Sequence, residues 1–392
     1  MTPLGISHFT ATSALGHGLD AHLQALLDER SGLHDIGFET SHLRSWTGEV
    51  TGLDTPLPSV FSEWDCRNNR LAELGLLQDG FIDAVSAARA RYGADRIAVY
   101  VATSTAGVQQ TELAYRARDT DGGALPDWFN HRTTQNTFSV ADYTRLRLGL
   151  AGPCAAVSTA CSSSAKVFAS AARAIAAGLC DAAVVGGVDS LCLTTLYGFN
   201  ALQLISRDIC RPADAARNGL SLGEAAGFAL IEPGIDTPLR LLGYGESNDA
   251  YHMSAPHPEG RGARAAMQAA LTCAGDEPSG VDYINLHGTG TPTNDLAEDK
   301  AVCALFGRDT PCSSTKGWSG HTLGAAGALE AALSLLCLRH GLLPRSLNTR
   351  EVDARIEGNI LLQTRRAPLQ RVLSNSFGFG GTNCSLLFGA VH

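Results

Sequence analysis

The sequence predicts an α/β fold made of two duplicated halves. Short apolar runs of strand length (IAVYVA, CAAVS, AAVVGGV, VDYINL) alternate with helical patterns. Two helices of closely matching small-residue composition, ACSSSAKVFASAARAIAAG and GHTLGAAGALEAALSLLCLRHG, occur once in each half, and no linker divides the 392 residues cleanly.

The elements follow in order. Residues 20–29 and 67–91 carry helical spacing, and 97–102 is an apolar strand. Residues 119–136 are a polar, turn-rich surface excursion. A strand at 154–158, a helix over 162–177 closed by Gly178 and a strand at 182–188 then argue for a parallel sheet covered on both faces. The rhythm repeats with a strand at 281–286, a helix over 294–306, a short strand at 311–315 and a long Ala/Leu helix over 323–339. Strands at 371–376 and 383–389 flank a glycine-rich turn. The Ala, Gly and Ser content of the two matched helices permits them to pack face to face.

Composition bounds the function. Hydrophobic residues are 44% and charged residues 18%, below the roughly 25% charged of an average domain, so much of the chain is buried. The net charge of −9 gives no field for a polyanion, which excludes nucleic acid as the first reading. Eleven cysteines without a CxxC pair suggest neither a disulfide framework nor a thiolate zinc site, and fit a reducing cytoplasm. No basic residue precedes Arg30 and no apolar run reaches membrane-spanning length, so a cytoplasmic protein with no membrane span is expected. Only Lys166, Lys300 and Lys316 are lysines among 30 basic residues, which singles out each of them.

Four segments carry chemistry. In STACSSSAK, Cys161 sits between a strand and a helix, where the helix dipole and unpaired N–H groups lower a thiol's pKa and make a nucleophile. NLHGTGTPTND places His287 directly after a buried strand, followed by glycines and two threonines able to hold a polar linear ligand. STKGWSGH adds Lys316 and His321 at the start of the second small-residue helix, where a neutral imidazole can donate from Nε2 to a developing enolate oxygen. SNSFGFGGTN is a glycine turn whose N–H groups can face an oxyanion.

These four motifs, in this order, resemble the elongating β-ketoacyl-[acyl-carrier-protein] synthases, which have the thiolase-like fold of duplicated halves in layered αβαβα order. The resemblance runs over essentially the whole chain, CRPADAARNGLSLGEAAG and SNDAYHMSAPHPEG included. The chain also resembles the ketosynthases of bacterial aryl polyene clusters. The resemblance implies halves at 1–232 and 233–392, the first with the nucleophile and the second with two histidines and the lysine. It implies that Cys161 accepts the acyl group and that His287 and His321 complete a triad. Cys161 and Phe379 would supply the oxyanion-hole N–H groups, with Phe379 and Phe377 as the gate. Lys316 would be held by Glu330 and lie near Glu298. Thr289 and Thr291 would bind the phosphopantetheine arm of acyl carrier protein, with no other cofactor and no metal. Thr105 of ATSTAGV would lie in the acyl pocket, and Arg67 and Arg207 would dock the carrier protein. The partner subunit would be a second copy or a chain-length-factor-like chain.

The sequence also departs from the family. MTPLGISHFTATSALGHG lacks the usual basic opening strand, which leaves the first strand open, and DCRNNRLAELG differs from the common pattern. Two other functions share the fold: a non-catalytic chain-length-factor-like partner, against which the intact Cys161, His287, Lys316 and His321 speak, and a CoA-dependent thiolase. A thiolase needs a second cysteine in the C-terminal glycine turn, where this chain has Phe379; Cys384 lies past Asn383, in an expected strand. An initiating synthase would carry Asn where His321 stands.

Overall fold

Leu4–Ser13 forms a ten-residue strand, β1, in the segment whose strand the sequence leaves open. Its polar residues hide it: Thr10, Thr12 and Ser13 are buried, with Thr10 Oγ1 donating to the Gly75 carbonyl at 3.3 Å and Ser13 Oγ 2.8 Å from His22 Nε2. A strand covered on both faces shows no apolar/polar alternation. The computed structural model describes residues 1–35, 37–118 and 122–390.

The first half continues with α1 (Leu19–Leu27), α2 (Arg67–Leu76), α3 (Phe81–Tyr92), β2 (Ile97–Ala102), β3 (Cys154–Val157), α4 (Ser163–Ala176), β4 (Ala182–Asp189) and β5 (Ala225–Pro233). The second contains β6 (Leu239–Asn248), α5 (Arg261–Ala274), β7 (Tyr283–Asn285), α6 (Pro292–Phe306), β8 (Pro311–Ser313), α7 (Ala326–His340), β9 (Arg371–Gly378) and β10 (Thr382–Ala390). Their sheets repeat one order, β3-β2-β4-β5-β1 and β8-β7-β9-β10-β6. In each, three strands run parallel and the last two are added antiparallel. The parallel sheet expected from the sequence is therefore a mixed one. The half-sheets join where β1 and β6 pair, Leu4 opposite Leu241 and Gly5 opposite Arg240.

The single helical stretch expected over 67–91 is two helices. Asp79 and Gly80 break it at φ 55° and 67°, and the Asp79 carboxylate accepts the Leu19 N–H at 3.0 and 3.1 Å, which tethers the start of α1. Of the polar excursion, residues 119–121 lie outside the described residues. The rest runs over the surface to a helical turn at His131–Gln135, where Thr133 and Thr134 are buried.

Helices α4 and α7 lie together between the half-sheets and touch strands of both, as their composition predicts. Their contact has no room for a side chain at Gly327, where a Cβ would stand 2.5 Å from the Ala165 nitrogen. One residue on, the Ala328 N–H donates to Ser164 Oγ at 2.8 Å. Gly327→Val is therefore expected to destabilise the protein by about 1–3 kcal/mol, the usual cost of overpacking. Urea unfolding checks this, and an unchanged midpoint would show that the two helices can part.

Candidate active site

Cys161 stands on a turn between β3 and α4 that the following serines hold. Ala160 is at φ 51°, a left-handed conformation costing on the order of 1–2 kcal/mol for a residue with a Cβ. Ser163 Oγ accepts the Thr159 N–H at 2.8 Å and donates to the Ala160 carbonyl, while Ser162 Oγ donates to the Thr159 carbonyl at 2.9 Å. Each serine of TACSSS thus has a task, the third being the Ala328 contact. The glycine turn after β9 lies directly against this elbow: a Cβ on Gly378 would be 3.1 Å from both the Cys161 nitrogen and the Thr159 carbonyl oxygen. The Phe379 N–H is directed at the cysteine sulfur.

His321 Nε2 is 3.0 Å from Cys161 Sγ. Its other nitrogen, Nδ1, accepts the Leu323 N–H at 3.3 Å. A neutral imidazole that accepts at Nδ1 carries its proton at Nε2, so the proton faces the sulfur. His287 repeats the arrangement, with Lys316 Nζ 3.4 Å from its Nδ1. The two rings meet edge to face, centroids 5.4 Å apart. Burial, with the nearby Lys316 charge, holds both histidines well below the ordinary imidazole range, so both are neutral donors.

Lys316 is buried and paired with Glu330 of α7, as the resemblance implies. Glu298, the other carboxylate expected in support, acts through the His287 loop. Its two oxygens accept the N–H groups of His287 and Gly288 at 2.8 Å each, with Asn375 Nδ2 at 3.2 Å. It therefore fixes the His287 loop rather than the lysine. Burial raises both carboxyls, to about 7.

The lowering of the Cys161 pKa expected from the helix end is not the net outcome. Burial pushes the thiol up to about 12, against the pull of the Lys316 charge and the Phe379 N–H. Alkylation of Cys161 by iodoacetamide is accordingly expected to accelerate about tenfold per pH unit between pH 7 and 10, because only the thiolate reacts. Lys316→Ala should slow it at every pH. A plateau below pH 8 would mean a thiol far more acidic than its burial allows.

These groups face a cleft that opens to solvent and is lined by Cys161, His287, His321, Thr289, Thr291, Phe377 and Phe379 among others. The threonine hydroxyls lie 2.8 Å apart. Phe377 packs on the His287 ring at 5.9 Å, and Phe379 stacks on Phe199 at 5.6 Å. Phe199, Leu204 and Leu220 form an apolar wall that sequence reasoning missed, since no motif distinguishes them from core residues.

Two expected residues are elsewhere. Thr105 does not line the cleft; its hydroxyl and N–H both donate to Asp189 at 2.8 Å. Arg67 is not a free docking cation. Its Nε and Nη2 bond Glu224 at 2.9 and 2.5 Å, and the guanidinium lies over the Phe38 ring at 5.2 Å. Glu224 is fully buried, and a buried carboxylate requires such a partner. Arg207 is exposed and, among the described residues, makes no ion pair.

Known proteins match this arrangement. Residues 76–236 match the N-terminal domain, and residues 240–350 the C-terminal domain, of the β-ketoacyl synthase family models. The 3-oxoacyl-[acyl-carrier-protein] synthase 2 of Vibrio harveyi is 31% identical over 97% of this chain and 96% of its own. A chain in the structure of the ketosynthase ApeO in complex with its chain length factor ApeC from Xenorhabdus doucetiae superposes with a TM-score of 0.91 at 38% identity, covering 100% of this chain and 98% of that one. A β-ketoacyl synthase from Burkholderia phymatum superposes at 0.89 with 28% identity and complete coverage of both chains. With both synthase domains matched and the thiolase-like fold repeated in its two half-sheets, the chain belongs to the β-ketoacyl synthase family.

Proposed function

We propose that this chain is a β-ketoacyl-[acyl-carrier-protein] synthase that extends an acyl group held on Cys161 by decarboxylative condensation with a malonyl-carrier thioester. The observation that carries the reading is one cysteine at an elbow, 3.0 Å from a histidine Nε2, with a second neutral imidazole beside it in the same cleft. The division of labour follows the fold, residues 1–232 bringing the nucleophile and 233–392 the histidines and Lys316.

In the first step the Cys161 thiolate attacks the acyl thioester carbonyl, and the N–H groups of Cys161 and Phe379 hold the oxyanion until the pantetheine thiolate leaves. Thr289 and Thr291 bind the phosphopantetheine arm that brings each substrate. In the second, the malonyl carboxylate departs as carbon dioxide, and its bonding pair forms an enolate whose oxygen receives the His287 and His321 Nε2 protons as hydrogen bonds. The enolate carbon then attacks the acyl-cysteine and expels the Cys161 thiolate. Lys316, held by Glu330, keeps His287 oriented and favours the thiolate. Cys384, the alternative thiolase cysteine, is buried within β10 and does not line the cleft.

The test pairs two measurements on one sample: acyl uptake by intact mass and carbon dioxide release from malonyl-carrier substrate. A chain that does neither is a non-catalytic partner subunit. The acyl carrier protein and a second subunit, identical or chain-length-factor-like, are the expected partners. Native mass measurement distinguishes a homodimer from a chain that pairs only with another. Arg207→Glu is expected to raise the KM for carrier-bound substrate several-fold, about 1 kcal/mol of lost steering, and to leave a small thioester unaffected. An equal effect on both would remove the docking role. Among the described residues no helix is long and apolar enough to cross a membrane.

A further inference from the structure

Asp189 ends β4, has no solvent exposure and lies outside the cleft lining. Its Oδ1 accepts four hydrogen bonds from the turn after β2: Thr103 Oγ1 and the Ser104 N–H at 2.7 Å, and the N–H and Oγ1 of Thr105 at 2.8 Å. Its Oδ2 reaches into the other half of the molecule and accepts the Gly324 N–H at 2.5 Å. One carboxylate therefore ties a turn of the first half to the turn that carries His321.

That second turn is strained. Leu323 is at φ 52°, a left-handed conformation that a leucine adopts only when its surroundings hold it there. In it the Leu323 N–H faces His321 Nδ1 at 3.3 Å, a long bond that a small rotation would break. We propose that Asp189 is a positioning residue that sets the tautomer of His321: by gripping Gly324 it holds Leu323 left-handed, keeps the Leu323 N–H on Nδ1, and so leaves the imidazole proton on Nε2, facing Cys161. This inference rests on the reading above, in which His321 acts as a donor.

The chemistry of the site calls for a carboxylate. Both oxygens of Asp189 face donors and neither faces an acceptor, so an asparagine would have to turn its NH₂ group against an N–H in either orientation. The same contact can be broken from the opposite side. A Cβ on Gly324 would lie 2.7 Å from Asp189 Oδ2 and 2.6 Å from Ser104 Oγ. Gly324→Ala thus displaces the carboxylate from the His321 turn and presses on the Ser104 nitrogen, 3.1 Å from the new Cβ, while the Thr103 and Thr105 donors to Oδ1 remain.

Nitrogen-15 NMR of protein labelled at histidine reads the tautomer directly, with the His321 signals identified by their loss in His321→Ala. In the parent protein His321 is expected to carry its proton on Nε2. In Asp189→Asn and in Gly324→Ala it should shift to Nδ1 or a mixture, and carbon dioxide release should fall on the order of 10²-fold, the usual effect of a displaced catalytic group. Acyl loading should not fall by more than about threefold, because the oxyanion hole is untouched and removal of the Asp189 charge favours the Cys161 thiolate. A parent His321 protonated on Nδ1 overturns the proposal whatever the variants do. So does either folded variant that keeps the Nε2–H signature with unreduced carbon dioxide release. If Asp189→Asn fails to fold, Gly324→Ala decides the role of the contact. Failure of the synthase reading would look different, as a parent protein that releases no carbon dioxide at all.

Discussion

Cys161→Ala is expected to take up no acyl group and to form no condensation product, a loss of at least about 10⁴-fold, as befits removal of a nucleophile. The other cysteines cannot substitute. Among the described residues, Cys161 is the one cysteine in the cleft lining. Cys66, Cys180, Cys192, Cys210, Cys312, Cys337 and Cys384 are buried elsewhere, and burial raises the thiol pKa of Cys210, Cys337 and Cys384 as it does that of Cys161. What separates Cys161 is its place: it opens on the cleft, with His321 Nε2 at 3.0 Å and the Phe379 N–H directed at its sulfur. The variant should still release carbon dioxide from malonyl-carrier substrate, since both histidines remain. Intact mass after incubation with acyl-carrier thioester checks the first outcome. Acylation of Cys161→Ala at the parent's rate would place the nucleophile elsewhere.

Cys161, His287, Lys316 and His321 are legible in the amino-acid order because each stands at a junction that sequence marks: a strand end, a run of glycines, or the start of a helix of small residues. The two central helices are legible for the same reason, since their Ala, Gly and Ser content permits one packing mode that few others share. β1 and β5 are not. β5 is buried on both faces, β1 is buried at all but Ser7 and His8, and β1 mixes Thr10, Thr12 and Ser13 with its apolar residues, so no period of two survives. β6, LRLLGYGESN, escapes because Gly243 and Gly245 interrupt its pattern. Packing against α5 explains both glycines: a Cβ on either would fall 2.3 or 2.0 Å from a carbonyl oxygen of that helix.

Residues assigned by resemblance differ according to how locally they act. Phe379, Thr289 and Thr291 reach the cleft because the turns that carry them are short and their glycines set the path, and Phe377 reaches it from the end of β9. Arg67 and Thr105 are displaced in role by a buried partner that no local pattern announces: Glu224 for the arginine and Asp189 for the threonine. Asp189 leaves one trace in the sequence, an acid closing the otherwise apolar strand AAVVGGVD.

The two histidines are expected to separate the half-reactions. Loading needs a thiolate and two backbone donors, supplied by the Cys161 elbow and the Phe379 turn. Carbon dioxide release needs charge stabilised on the malonyl thioester oxygen, and in the proposed mechanism the imidazoles of His287 and His321, both in the cleft lining, supply the N–H donors. Each donor of this kind is worth on the order of 10² to 10³ in rate. His287→Ala and His321→Ala should therefore still become acylated on Cys161 while losing carbon dioxide release by that factor. Acidity should not mimic these variants. Burial and Lys316 hold both histidines well below the ordinary imidazole range, so lowering the pH through about 6.5, where a free imidazole takes up a proton, should leave both neutral and the release step without a histidine titration. Lys316→Ala has a different signature, because its charge acts on the Cys161 thiol as well as on His287: loading should slow together with release. Intact mass beside carbon dioxide release separates these outcomes. A histidine variant that lost loading and kept release would reverse the assignment of the two half-reactions.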